Sequence, residues 1–106
     1  MHSPSKQRAL LGFKNIFSLK DLLRIGIKPS TNNEFFDLLN DKIYLGSKRS
    51  LMLKGKIEMY EFLRNKIRMT INVNGVKFEK EVDKDFSLTT SEIVLGTYPD
   101  ELLPLE

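Results

Sequence analysis

Few residues in this chain could do chemistry. There is one histidine, His2, and no cysteine. Thiolate metal sites, disulfides and cysteine nucleophiles are therefore excluded, and carboxylates and carbonyls are the remaining metal ligands. Asp83 and Asp85 share a turn, but the glycine and distant glutamate of a calcium loop are missing. Glu79/Glu81 and Glu58/Glu61 could exchange protons as carboxylate pairs. Strand periodicity instead places Glu79 and Glu81 on a solvated polar face. No serine stands in a Gly-x-Ser-x-Gly turn, and Gly46-Ser47-Lys48 lacks the glycines that precede it in a phosphate loop. The inventory predicts a protein that is not an enzyme and takes no cofactor and no metal.

The elements that would position these residues follow from length and periodicity. The 106 residues fit one domain, and 41% hydrophobic with 29% charged residues is a globular composition. Residues 1–7 read as a polar arm, 8–98 as a single α+β domain and 99–106 as an acidic tail. Leu10, Phe13 and Phe17 have helical spacing. Ser18 is a predicted N-cap with Asp21 three residues on, Leu19, Leu22 and Leu23 form an apolar face, and Gly26 is a stop. Thr31 and Glu34 make a capping box ahead of Phe35, Phe36, Leu38 and Leu39, which predicts another short helix.

From Ile43 onward the period changes to two. Residues 51–59 alternate as a long strand, with Gly55 marking a bulge or bend. Asn74-Gly75 between two alternating runs predicts a type I′ hairpin. Pairing Val73 with Val76 sets Ile71 opposite Phe78, Ile67 opposite Val82, Arg68 opposite Glu81, Asn72 opposite Lys77 and Met69 opposite Lys80. Residues 86–95 read as one further strand. The expected fold is thus α+β: two or three short N-terminal helices, then a four- to five-stranded antiparallel sheet.

Charge is unevenly spread. Residues 1–56 hold 11 Lys and Arg against 4 Asp and Glu, a net of +7, while residues 57–106 hold 6 against 10, a net of −4. This points to a basic face for an anionic partner, or to two halves that neutralise each other within or between molecules. Ser18 to Asp37, with Gly26 between Ile25 and Ile27, resembles a helix-turn-helix unit. The resemblance implies that Ser30, Thr31, Asn32 and Asn33 would face base edges, with Gly46-Ser47-Lys48-Arg49 as a basic wing. It departs from that pattern at Leu22, at Asn32 and at the acidic Glu34 and Asp37. The expected nucleic-acid contacts are Lys6, Arg8, Lys14, Lys20, Arg24, Lys28, Ser30, Thr31, Asn33, Lys48, Arg49 and Lys54. Tyr60 and Phe62 beside Lys54 and Lys56 could also stack bases as a platform.

The other expectation is a small self-associating assembly protein, such as a viral or phage matrix protein or a host-directed adaptor. Leu10, Leu11, Phe13, Ile16 and Phe17 could enter an anionic membrane surface. Tyr98-Pro99-Asp100-Glu101-Leu102 resembles the Tyr-Pro-(x)n-Leu peptides with which viral structural proteins recruit budding machinery. The lack of cysteine suits the cytoplasm or another reducing compartment. Residues 1–28 are basic and serine-containing, which is also how an organelle transit peptide reads.

Overall fold

The computed structural model describes residues 15–46, 51–87 and 90–105. It corrects the expected α+β order. The chain is mostly β, with two antiparallel sheets, the larger curled into a half-barrel. Strands β1 (Ile16–Ser18), β2 (Phe35–Asp37) and β8 (Leu103–Leu105) form a small sheet in the order β1-β2-β8. Strands β3 (Tyr44–Leu45), β4 (Leu51–Phe62), β5 (Lys66–Val73), β6 (Val76–Asp83) and β7 (Glu92–Thr97) form the larger one, in the order β3-β7-β4-β5-β6. Among the described residues there is one α-helix, α1 (Leu19–Arg24), and none long and apolar enough to cross a membrane.

Helix α1 obeys its local signals. Ser18 is extended and its hydroxyl accepts from the Asp21 amide at 3.1 Å. Gly26, at φ +85°, ends it. The Ile27 amide donates to the Leu22 carbonyl at 2.8 Å and the Gly26 amide to that of Leu23 at 3.1 Å, the two bonds of a Schellman motif. Leu22 and Ile27, which flank that turn, are both fully buried.

The helix predicted after Thr31 does not form. The Thr31 hydroxyl donates to the Asn33 side chain rather than capping a helix. Phe35 to Asp37 are instead claimed as the middle strand between β1 and β8, with Phe36 opposite Phe17 and Pro104. Residues 16 and 17, expected to close a first helix that starts at Arg8, belong to β1, and residues 8–14 lie outside the described residues. Within residues 99–106, read as an acidic tail, β8 completes the small sheet.

The β5–β6 hairpin has the register that Asn74-Gly75 sets, from Val73 opposite Val76 to Ile67 opposite Val82. Asn74 (φ 50°) and Gly75 (φ 89°) both take the left-handed conformation a type I′ turn requires. Ile67, Met69, Ile71, Val73, Val76, Phe78 and Val82 turn one face to the core. Phe17, Leu22, Ile27, Phe36 and Leu38 cover that face, so both sheets share a single core.

The outer edge of β6 is sealed by side chains. Asn15 accepts from the Glu79 amide and donates to the Glu79 carbonyl, both at 2.7 Å. Asn40 does the same at Glu81, at 2.7 and 3.4 Å. Each carboxamide thereby replaces one residue of a neighbouring strand, a way of closing an edge to intruding chains. Lys80 Nζ, its pKa lowered by burial, adds a 2.7 Å bond to the Asn40 carbonyl. Asn15→Ala or Asn40→Ala should each cost about 1–3 kcal/mol, because a half-buried amide and carbonyl lose their partners. Asn15, only 4% exposed, should cost more. Urea unfolding of both variants measures this.

Candidate interaction surface

Strand β4 is long enough to serve two neighbours in turn. Its first half, Leu51 to Lys56, pairs with β7, and its second half, Lys56 to Phe62, pairs with β5, so that Lys56 serves both. Glycine at position 55 permits the close packing at this crossing, where a Cβ would lie 2.5 Å from Ile71 Cγ2. A bulge between Ile57 and Met59 then shifts the register by one residue. Before the bulge, Lys54 and Lys56 face outward, opposite Val94 and Asn72. After it, Tyr60 lies opposite the buried Met69 and Phe62 opposite the buried Ile67, so both aromatics sit on the core-facing side. The expected stacking platform of Tyr60 and Phe62 beside Lys54 and Lys56 is therefore split across two faces.

Beyond Lys56, β4 continues as an arm paired with β5 alone, which β7 no longer borders. Phe62 is 72% exposed, Met59 59% and Tyr60 37%. On the inner side the Leu63 amide donates to the Lys66 carbonyl at 2.8 Å. Antiparallel ladders alternate, so Glu61 also bonds inward, and the backbone groups of Tyr60 and Phe62 point away from β5. β7 ends its pairing at Lys56, with one further bond from the Ile57 amide to the Ser91 carbonyl. Among the described residues, no strand pairs with this outer edge from Glu58 to Phe62.

Charges along the arm are largely neutralised within it. Arg68 bridges Glu81 at 3.0 Å and Glu61 at 3.4 Å, and the Glu81 bond raises its pKa further. Glu58 is held below the usual carboxylate range by bonds from Lys77 and Asn72. Lys66 pairs with Asp83 at 3.0 Å, leaving Arg64 exposed at the tip.

The expected nucleic-acid contacts are dispersed. Lys20 and Arg24 are exposed on α1, where Arg24 pairs with Asp21 at 3.6 Å, and Lys28 is exposed after it. Ser30 and Thr31 are exposed in a loop, and Asn33 donates to the Leu105 carbonyl at 3.3 Å. With no second helix, these three are not arrayed for a groove. Lys54 borders an open depression of about 660 Å³ with Lys56, Asn72, Thr90 and Glu92. Lys6, Arg8, Lys14, Lys48 and Arg49 lie outside the described residues. Phe17, expected at a membrane, is in the core, and so is Leu102 of the Tyr-Pro segment.

Sequence reasoning passed over Met59 and the edge itself. A signal was present: Met59-Tyr60 and Phe62-Leu63 are adjacent apolar pairs on either side of Glu61, which one-sided alternation does not produce. No family model, no curated protein and no solved structure matches this chain.

Proposed function

We propose that the protein is a non-catalytic interaction protein that takes a partner strand onto the outer edge of β4. One observation carries this: the Glu58 to Phe62 edge has no pairing strand among the described residues and exposes Met59, Tyr60 and Phe62, while the β6 edge is closed by two asparagines. An added strand gains backbone hydrogen bonds from the ladder and apolar contact from the exposed side chains. A photoreactive phenylalanine analogue at position 62, in cells that naturally make the protein, tests the reading. A protein adduct at position 62, absent with the analogue at position 79 on the sealed edge, is the expected result. No adduct at position 62 would sink it.

A second reading is sequence-independent nucleic-acid binding. It is favoured by exposed Lys20, Lys28 and Lys54, none of which has an ion-pair partner among the described residues. Anisotropy of a labelled duplex across a salt series should show a slope steepening by about 0.9 per phosphate neutralised. A Lys20→Glu/Lys28→Glu variant with an unchanged slope would remove it.

A further inference from the structure

We propose that the partner strand is a second copy of this chain, paired antiparallel with β4 about a two-fold axis through Glu61. This inference rests on the outer edge of β4 being the docking surface. Two identical edges that meet antiparallel form an isologous contact, so only registers symmetric about one point are available. The backbone narrows the choice further. Tyr60 and Phe62 present the outward amides and carbonyls, so these two must occupy the hydrogen-bonded positions.

Centring on Glu61 places Tyr60 opposite Phe62 of the second copy, twice over. Each pair joins an aromatic ring 37% exposed in the single chain to one 72% exposed, on one face of the joined sheet. The other face sets Met59 opposite Leu63, an apolar pair, and next to it Glu58 at the bulge comes opposite Arg64 at the start of the turn, an opposite-charge pair. The two Glu61 carboxylates meet on the axis, each accompanied by Arg68 of its own chain at 3.4 Å. The neighbouring registers are poorer. Centring on Tyr60 sets Arg64 against Lys56. Centring on Phe62 sets Tyr60 against Arg64, Glu61 against Leu63 and Met59 against Asn65, so the apolar pairs are lost and more of the tight turn at residues 63–66, where Leu63 bonds Lys66, is drawn into the ladder. Charge and apolar complementarity thus single out self-pairing about Glu61.

The absence of cysteine makes the test clean. In the proposed register Glu61 forms a non-hydrogen-bonded pair with its copy, with Cα atoms about 4.5 Å apart, inside the range a disulfide spans. Glu61→Cys under mild oxidation should form a covalent dimer at least about tenfold faster than the exposed control Lys28→Cys, as expected for a pre-associated pair. In sedimentation equilibrium the unmodified chain should move from 12.3 kDa toward twice that mass as concentration rises. Arg64→Glu should weaken the association about tenfold, because the two-fold repeats the repulsive pair twice. Phe62→Asp should abolish it, with circular dichroism confirming that both exposed-site variants fold. Equal cross-linking of Glu61→Cys and Lys28→Cys, or a mass fixed at that of one chain up to millimolar concentration, would overturn the proposal. A position-62 adduct with a different protein would overturn self-pairing while leaving the docking surface standing. No adduct of any kind would remove both.

Discussion

Phe78→Ala is expected to destabilise the protein by about 3–5 kcal/mol, the range for truncating a fully buried aromatic. The ring is 1% exposed and lies 4.6 Å, centroid to centroid, from Phe17 at an interplanar angle of 44°. Phe78 belongs to β6 and Phe17 to β1, so the contact joins the larger sheet to the smaller. Truncation leaves a cavity against Phe17 at that junction, within the core that also holds the buried Phe36 and Leu22. Small domains have a total stability of about 5–15 kcal/mol, so the variant should lose about a fifth of it or more. The midpoint of thermal unfolding should fall by roughly 15 °C or more. Phe62→Ala is the matched control. Its ring is largely in solvent, and its loss should cost less than about 0.5 kcal/mol. A Phe78→Ala cost below about 1 kcal/mol would mean that the sheets are not held together at this point.

The contrast between those two phenylalanines marks how far local pattern reaches. The β5–β6 hairpin was legible because all its determinants lie within one stretch of chain. A turn dipeptide with two positive φ values sets the register, and alternation then assigns each face. Helix α1 was legible for the same reason, its cap and its glycine stop being adjacent to it. The residues after Pro29 were not. Phe35-Phe36-Asp37 fits a helix pattern as well as a strand, and the decision is made by β1 before it and by β8, whose residues pair with it from the far end of the chain. Asn33, read as a base contact, is instead bonded to Leu105.

The candidate surface was harder still, because an edge is a property of the assembled sheet. Whether β4 is central or peripheral changes along its own length, and the change depends on where β7 stops. Counting alternation through 51–62 without the bulge places the aromatics beside the lysines, the wrong side for both aromatics. The asparagines that seal β6 come from residues 64 and 41 positions away, with no local sign of that role. Basic residues were legible as exposed, but exposure alone does not gather them into a patch.

Gly55→Ala is expected to cost about 1–3 kcal/mol, and Gly55→Val more, through overpacking rather than through backbone conformation. The added Cβ would lie 2.5 Å from Ile71 Cγ2, 3.1 Å from Val73 Cγ2 and 3.4 Å from the Asn72 carbonyl. Ile71 is fully buried and β-branched, so its Cγ2 methyl cannot swing aside without changing rotamer inside a packed core. Strand β4 would have to move away from β5 at the residue where its two pairings hand over, which loosens the ladder in both directions. Hydrogen exchange should therefore quicken on both sides of position 55, from the β7-paired half into the arm. Ile71→Leu removes the offending methyl by shifting the branch one carbon outward. In that background Gly55→Ala should cost at least about 0.5 kcal/mol less, a coupling that a double-mutant cycle resolves. Strict additivity of the two substitutions would show that the glycine is kept for some cause other than contact with Ile71.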